Sequence, residues 1–134
     1  MADEIPWERL FEEAARVRAR AHVPYSRFPV GAAVLFADGA VVAGCNVENA
    51  TYGLTVCAER NAFAAAVAQG HTQPVAVAIV VDTPEPCPPC GMCRQVMAEF
   101  GGQELPVRSR TPQGCEARYT LGGLLPHAFT KDFF

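Results

Sequence analysis

At 134 residues the chain is the size of one domain, taken as residues 1–134, and its length argues against two. Hydrophobic residues make up 50% and charged residues 19%, a globular balance, and no apolar run nears the roughly 20 residues that span a bilayer. A net charge of −3 gives no electrostatic reason to hold a phosphate backbone, so neither nucleic acid nor membrane is an expected partner, and small neutral substrates fit better.

In chain order, the opening Met1-Ala2-Asp3-Glu4 is acidic and leads into an amphipathic stretch. It does not read as a signal peptide, so a cytoplasmic protein is expected. Residues 7–21 predict a helix with Leu10, Phe11, Ala14, Ala15 and Val17 on one apolar face, stopped by Pro24. Arg16, Arg18 and Arg20 fall on its solvated side. Residues 30–36 and 41–45 read as strands joined by Ala37-Asp38-Gly39, a β-hairpin with Asp-Gly in its turn. Residues 46–55 are polar and irregular. Residues 57–70 predict an alanine-rich helix ended by Gly70. Residues 75–81 are continuously apolar between Pro74 and Pro84, as suits a strand buried on both faces. A proline-rich loop over 83–89 leads into a helix over 91–100. Short strands are expected at 105–109 and 116–119, and a helical turn at 121–125. Alternation of strands with helices predicts an α/β layered domain with a hairpin at the start of a mixed sheet.

Six cysteines need an account. In a reducing cytosol they favour metal binding or catalysis over disulfides. Cys57-Ala58-Glu59 and Pro89-Cys90-Gly91-Met92-Cys93 each open a helix, and together they match the signature of zinc deaminases in its three-cysteine form. Positions 57 and 59 lie about 200° apart around a helix, so both can address one centre only at the first turn, with the metal off the helix end. Helix N-termini also lower thiol pKa values and so favour the thiolate that zinc requires. Three ligands, Cys57, Cys90 and Cys93, leave a fourth tetrahedral position for water, whose pKa zinc can bring to roughly 7. Glu59 is then the expected proton shuttle. Arg60 is expected to donate hydrogen bonds to thiolate sulfur and withdraw charge from an electron-rich centre. Cys87 makes a second Cys-x-x-Cys match with Cys90, but Pro88 and Pro89 lack the amide hydrogens that stabilise thiolates, which favours Cys90 and Cys93. Cys87 as a fourth ligand would instead give a structural zinc module. Cys45 and Cys115 have no partner by spacing and are expected to be buried small apolar residues. None of the three histidines sits at a ligand spacing. A surface position suffices for His71, just past a helix end.

Four ordered segments then carry a family resemblance: Pro24-Tyr25-Ser26-Arg27-Phe28-Pro29-Val30-Gly31-Ala32-Ala33, Gly44-Cys45-Asn46-Val47-Glu48-Asn49-Ala50, Cys57-Ala58-Glu59-Arg60, and Pro89-Cys90-Gly91-Met92-Cys93-Arg94-Gln95. With them the chain resembles the small homotetrameric cytidine deaminases from about Pro24 to Phe129. The resemblance implies a three-layer α-β-α fold with a mixed five-stranded sheet and one zinc ion per subunit of a homotetramer. The implied activity is hydrolytic deamination of free cytidine and deoxycytidine to uridine and deoxyuridine. By the same resemblance, Asn46 and Glu48 hydrogen-bond the ribose 3′-hydroxyl, Phe28 walls the pyrimidine pocket, and the Ala58 amide donates to the pyrimidine carbonyl. Ala50, Tyr52 and Phe129 complete a neighbouring subunit's pocket. After Phe129 this chain has Thr130-Lys131 where Gly-Pro is common in the family, which leaves the path of the tail open. Deaminases of the blasticidin S type share the length and the cysteine pattern, and the Asn46-Val47-Glu48-Asn49 segment leans away from them.

Overall fold

The computed structural model describes residues 4–134; the first three residues of the acidic opening lie outside them. Helix α1 (Trp7–Arg18) is followed by strands β1 (Val30–Phe36) and β2 (Val41–Cys45), helix α2 (Ala58–Ala68) and strand β3 (Pro74–Val81). Helix α3 (Gly91–Phe100), strands β4 (Pro106–Arg110) and β5 (Glu116–Thr120), and the single turn α4 (Leu121–Leu124) complete the order. Single 3₁₀ turns lie at Tyr52–Leu54 and Lys131–Phe133. The five strands form one mixed sheet in the order β2-β1-β3-β4-β5. Only β3 and β4 run parallel, joined through α3, as a parallel pair requires a crossover.

The continuous apolar run sits where it should, in the central strand, with 76–81 buried throughout. Alternation along β3 divides two cores. Ala76, Ala78 and Val80 meet Leu10, Phe11 and Ala14 of α1 on one face. Val77 and Ile79 meet Ala62, Phe63 and Ala66 of α2, and Cys93 and Met97 of α3, on the other. The result is the expected α-β-α sandwich. Small side chains on the α1 face let that helix lie close to the sheet. At Gly31 a Cβ would stand 1.9 Å from the Ala14 carbonyl oxygen. Gly31→Ala is therefore expected to lower unfolding stability by about 1–3 kcal/mol or more through overpacking, read as a lower urea midpoint at unchanged slope; an unshifted midpoint contradicts the close approach.

Several expectations need correction. The first helix ends at Arg18 rather than Ala21, because the chain unwinds into tighter turns, Arg20 N–H to Val17 C=O at 2.9 Å and Ala21 N–H to Arg18 C=O at 3.1 Å. Ala15 is exposed, since α1 buries only a narrow stripe. Cys115 is exposed because it ends the turn between β4 and β5, and Cys45 is only partly buried. His71 is partly buried, with Nδ1 2.6 Å from the Asp38 carboxylate and its ring against Phe36. Arginines of β4 reach onto α1: Arg108 lies over the Trp7 ring, and Arg110 lies over Phe11 while making two hydrogen bonds to Glu8. Among the described residues no helix is long and apolar enough to cross a membrane.

Candidate functional site

Cys57 and Cys90 are the N-cap residues of α2 and α3, both extended in backbone conformation, and Cys93 lies in the first turn of α3. Both helices lie on one face of the sheet, so their N-termini bring three thiols together. The Cys57 and Cys90 sulfurs are 3.7 Å apart and those of Cys90 and Cys93 3.3 Å. Thiolates on one tetrahedral zinc at about 2.3 Å stand about 3.8 Å apart, so the first spacing matches and the second falls a few tenths short. Among the described residues these are the one group of three or more His, Cys, Asp or Glu side chains whose ligand atoms all lie within 4.8 Å of one another. Cys93 is buried, Cys57 intermediate and Cys90 exposed, so the centre has a closed side and an open one. The donor set suits zinc.

Electrostatics prepare the thiols. Hydrogen bonding to Cys93, and then to Arg60 and Cys90, pulls the Cys57 thiol down to about 5. The same bond to Cys57, together with burial, pushes Cys93 up, so the pair holds a thiolate and a thiol before metal. Arg60 Nη2 donates to Cys57 Sγ at 3.7 Å and to the Thr55 carbonyl at 3.2 Å, the placement expected of it. Without Arg60 the thiolate is less favoured and protons compete better with metal. Arg60→Ala is expected to weaken zinc affinity about tenfold, the lower end of the cost of losing such a supporting group. Competition with a chromogenic chelator measures it, and unchanged affinity rejects the role.

Glu59 is 5% exposed, and burial raises its carboxyl above the ordinary range. Glu59 joins the three cysteines in lining a cavity of about 190 Å³ whose apolar walls include Phe28, Val30, Ile79 and Val81. Asn46, Ala58 and Thr55 also line it. Cys87 and Pro88 line it too, but the Cys87 thiol donates to the Pro88 carbonyl at 3.5 Å and stands outside the three-thiol group. A hollow of about 470 Å³ between the end of α3 and the tail shares no residue with this centre.

Glu48 lies beside the cavity, in an adjoining depression with Tyr25, Ser26 and Tyr52, and Thr55 lines both. Asn46 and Glu48 also have intramolecular work. The Val30 amide donates to Asn46 Oδ1 at 2.8 Å, and Asn46 Nδ2 donates to the Phe28 carbonyl at 2.9 Å. Glu48 accepts from the Tyr25 and Ser26 amides at 3.0 and 3.1 Å and from the Ser26 hydroxyl. These bonds, that of the Ser26 side chain first, hold its carboxyl below the ordinary range.

Ala50, Tyr52 and Phe129 are not brought to this cavity within one chain. Ala50 is exposed, Tyr52 is 75% exposed and Phe129 61%. The tail path is now defined. Gln95 Nε2 donates to the Phe129 carbonyl at 2.7 Å, Arg94 Nη1 donates to the Leu124 carbonyl at 2.7 Å, and Phe129 stacks on Phe133. Contacts that one sequence does not display give Arg94, Gln95 and Ser26 their places: Arg94 also donates to the Pro89 carbonyl at 2.7 Å, next to Cys90, Gln95 holds the tail, and Ser26 Oγ accepts from the Phe28 amide.

The model of the cytidine and deoxycytidylate deaminase zinc-binding region matches residues 6–108. The cytidine deaminase of Halalkalibacterium halodurans is 50% identical over 125 residues, covering 93% of this chain and 95% of that protein. That of Mycobacterium tuberculosis is 47% identical over 133 residues, covering 96% and 93%. The crystal structure of cytidine deaminase from Burkholderia pseudomallei superimposes with a TM-score of 0.89 at 46% identity, over 93% of this chain and all of that one.

Proposed function

The chain belongs to the cytidine and deoxycytidylate deaminase zinc-binding family, and from that premise we propose that it acts as a single-domain hydrolase converting free cytidine and deoxycytidine to uridine and deoxyuridine with release of ammonia. The observation that carries the reading is a buried carboxylic acid, Glu59, beside three clustered thiols in an apolar cavity.

Cys57, Cys90 and Cys93 would hold a zinc ion, which when bound would supply the Lewis acidity that makes water a competent nucleophile at neutral pH. The protein's own groups handle the protons and the substrate. Glu59, its affinity for a proton raised by burial, takes a proton from the attacking water and delivers it to the ring nitrogen next to carbon 4. It then takes the remaining proton from the hydroxyl now on carbon 4 and passes it to the departing amine, so that ammonia leaves and a carbonyl remains. The Ala58 amide, at the first position of α2, has no intrahelical partner, which suits a donor to the pyrimidine carbonyl. Phe28, with Val30 and Val81, offers an apolar surface to the base.

Asn46 and Glu48 are assigned to the 3′-hydroxyl, and counting their bonds supports this. A carboxylate has roughly four acceptor sites, and three donors already use Glu48, which leaves room for one hydroxyl. Asn46 uses one acceptor and one donor and keeps one of each. The assigned role of Ala50, Tyr52 and Phe129 is to complete the pocket of a neighbouring subunit in a homotetramer, which their exposure permits. The working compartment is the cytoplasm, and the role is salvage of pyrimidine nucleosides.

The test is the fall in ultraviolet absorbance of cytidine and deoxycytidine with zinc-loaded protein, alongside an ammonia assay. Equimolar uridine and ammonia are expected; no turnover of either nucleoside ends the reading.

A further inference from the structure

Residues 25–29 are the last part of the surface connection from α1 to β1, and an exposed connection of this kind is ordinarily mobile. Phe28 belongs to it, and the residue is 42% exposed, so packing alone does not fix it. Hydrogen bonds do. The Phe28 carbonyl is held by Asn46 Nδ2 at 2.9 Å. The Phe28 amide donates to Ser26 Oγ at 3.1 Å, and the same hydroxyl gives its proton to Glu48. A carboxylate only accepts, so the direction of that relay is forced: Glu48 orients the Ser26 hydroxyl, and the hydroxyl lone pair then receives Phe28. Arg27, between the two, has φ 56°, the left-handed region that side-chain-bearing residues avoid. The segment keeps this conformation because both of its ends are tied to the 46–48 segment.

We propose that Ser26 is a positioning residue that couples Glu48 to Phe28 and so fixes the wall against which the base is received. The substrate half of this rests on the deaminase reading above. Glu48 thereby serves two ends of one ligand: the sugar directly, and the base at one remove through Ser26. Neither Glu59 nor the thiols are touched by the relay, so its loss should affect binding and not the chemical step.

The experiment compares Ser26→Ala and Ser26→Thr with wild type, all zinc-loaded and full-length. Ser26→Ala is expected to raise KM for cytidine about fivefold, the worth of one ordinary hydrogen bond, with kcat within about twofold. Ser26→Thr keeps the hydroxyl and should restore KM. Independently of activity, heteronuclear NMR should find the Phe28 amide exchanging roughly tenfold faster in Ser26→Ala, while the Val30 amide, held by Asn46, stays protected. Unchanged Phe28 exchange overturns the coupling. An unchanged KM, or kcat falling in step with stability, overturns the positioning role. A wild-type chain inert toward cytidine overturns the deaminase reading and the substrate half with it, and the exchange comparison then still decides whether Ser26 holds Phe28.

Discussion

Glu59→Gln is expected to lower kcat for cytidine roughly a thousandfold while the protein keeps its zinc, because it removes the one group placed to move protons in the cavity. Glutamine has the same volume and keeps the packing, so the loss reports the proton and not a collapsed pocket. The surroundings are what make the carboxyl suitable. Glu59 is 5% exposed and burial raises its pKa, with the negative Cys57 acting in the same direction. An ordinary surface glutamate would be fully ionised at neutral pH and a poor donor to a leaving amine, whereas a raised pKa lets one group serve as base and then as acid. Zinc per chain and turnover should be measured on the same preparation. Retained zinc with activity within tenfold of wild type would remove Glu59 from the mechanism.

The second large effect separates the two readings of the cysteines. Cys93→Ala should reduce bound zinc from about one per chain to under roughly a tenth at micromolar free metal, since a catalytic zinc held by three protein ligands cannot lose one without losing most of its affinity. Activity should fall further than the metal content, by about a hundredfold or more, because the zinc that remains lacks one of its three ligands. Cys87→Ala should leave the zinc content unchanged, because its sulfur stands outside the three-thiol group and is engaged with the Pro88 carbonyl. Elemental analysis after dialysis against a fixed zinc buffer decides it. Zinc lost from Cys87→Ala and kept by Cys93→Ala would restore the Cys87–Cys90 pair, and zinc lost from both would indicate a closed four-thiol site.

What the sequence made legible follows the range of the interactions involved. The Asp38-Gly39 turn between two β-branched runs located the first hairpin to the residue, because turn chemistry and strand propensity are local. The clustering of Cys57, Cys90 and Cys93 was legible for a similar reason, each group being confined to one helix start. The end of α1 was misjudged because Ala19 and Ala21 are good helix formers, and no capping residue announces the stop before Pro24. Cys115 is exposed although cysteine as a type favours burial. The preceding Pro112-Gln113-Gly114 was the available sign that it lies at a hairpin tip. The Ser26 relay and the attachment of the tail to Arg94 and Gln95 join residues far apart in the chain, and no period or spacing encodes them.

Cys57 and Cys90 occupy N-cap positions, yet neither side chain caps its helix with a hydrogen bond, as serine or aspartate would there. Negative charge on these two sulfurs, each at the positive end of a helix, favours both helix starts through the helix dipole rather than through a capping bond. Helix initiation and metal retention thus draw on the same two positions. An evolutionary path that abandons the metal would have to re-establish both helix starts by other means, so these sites are constrained by folding as well as by chemistry and should resist drift even in a lineage that no longer needs the reaction.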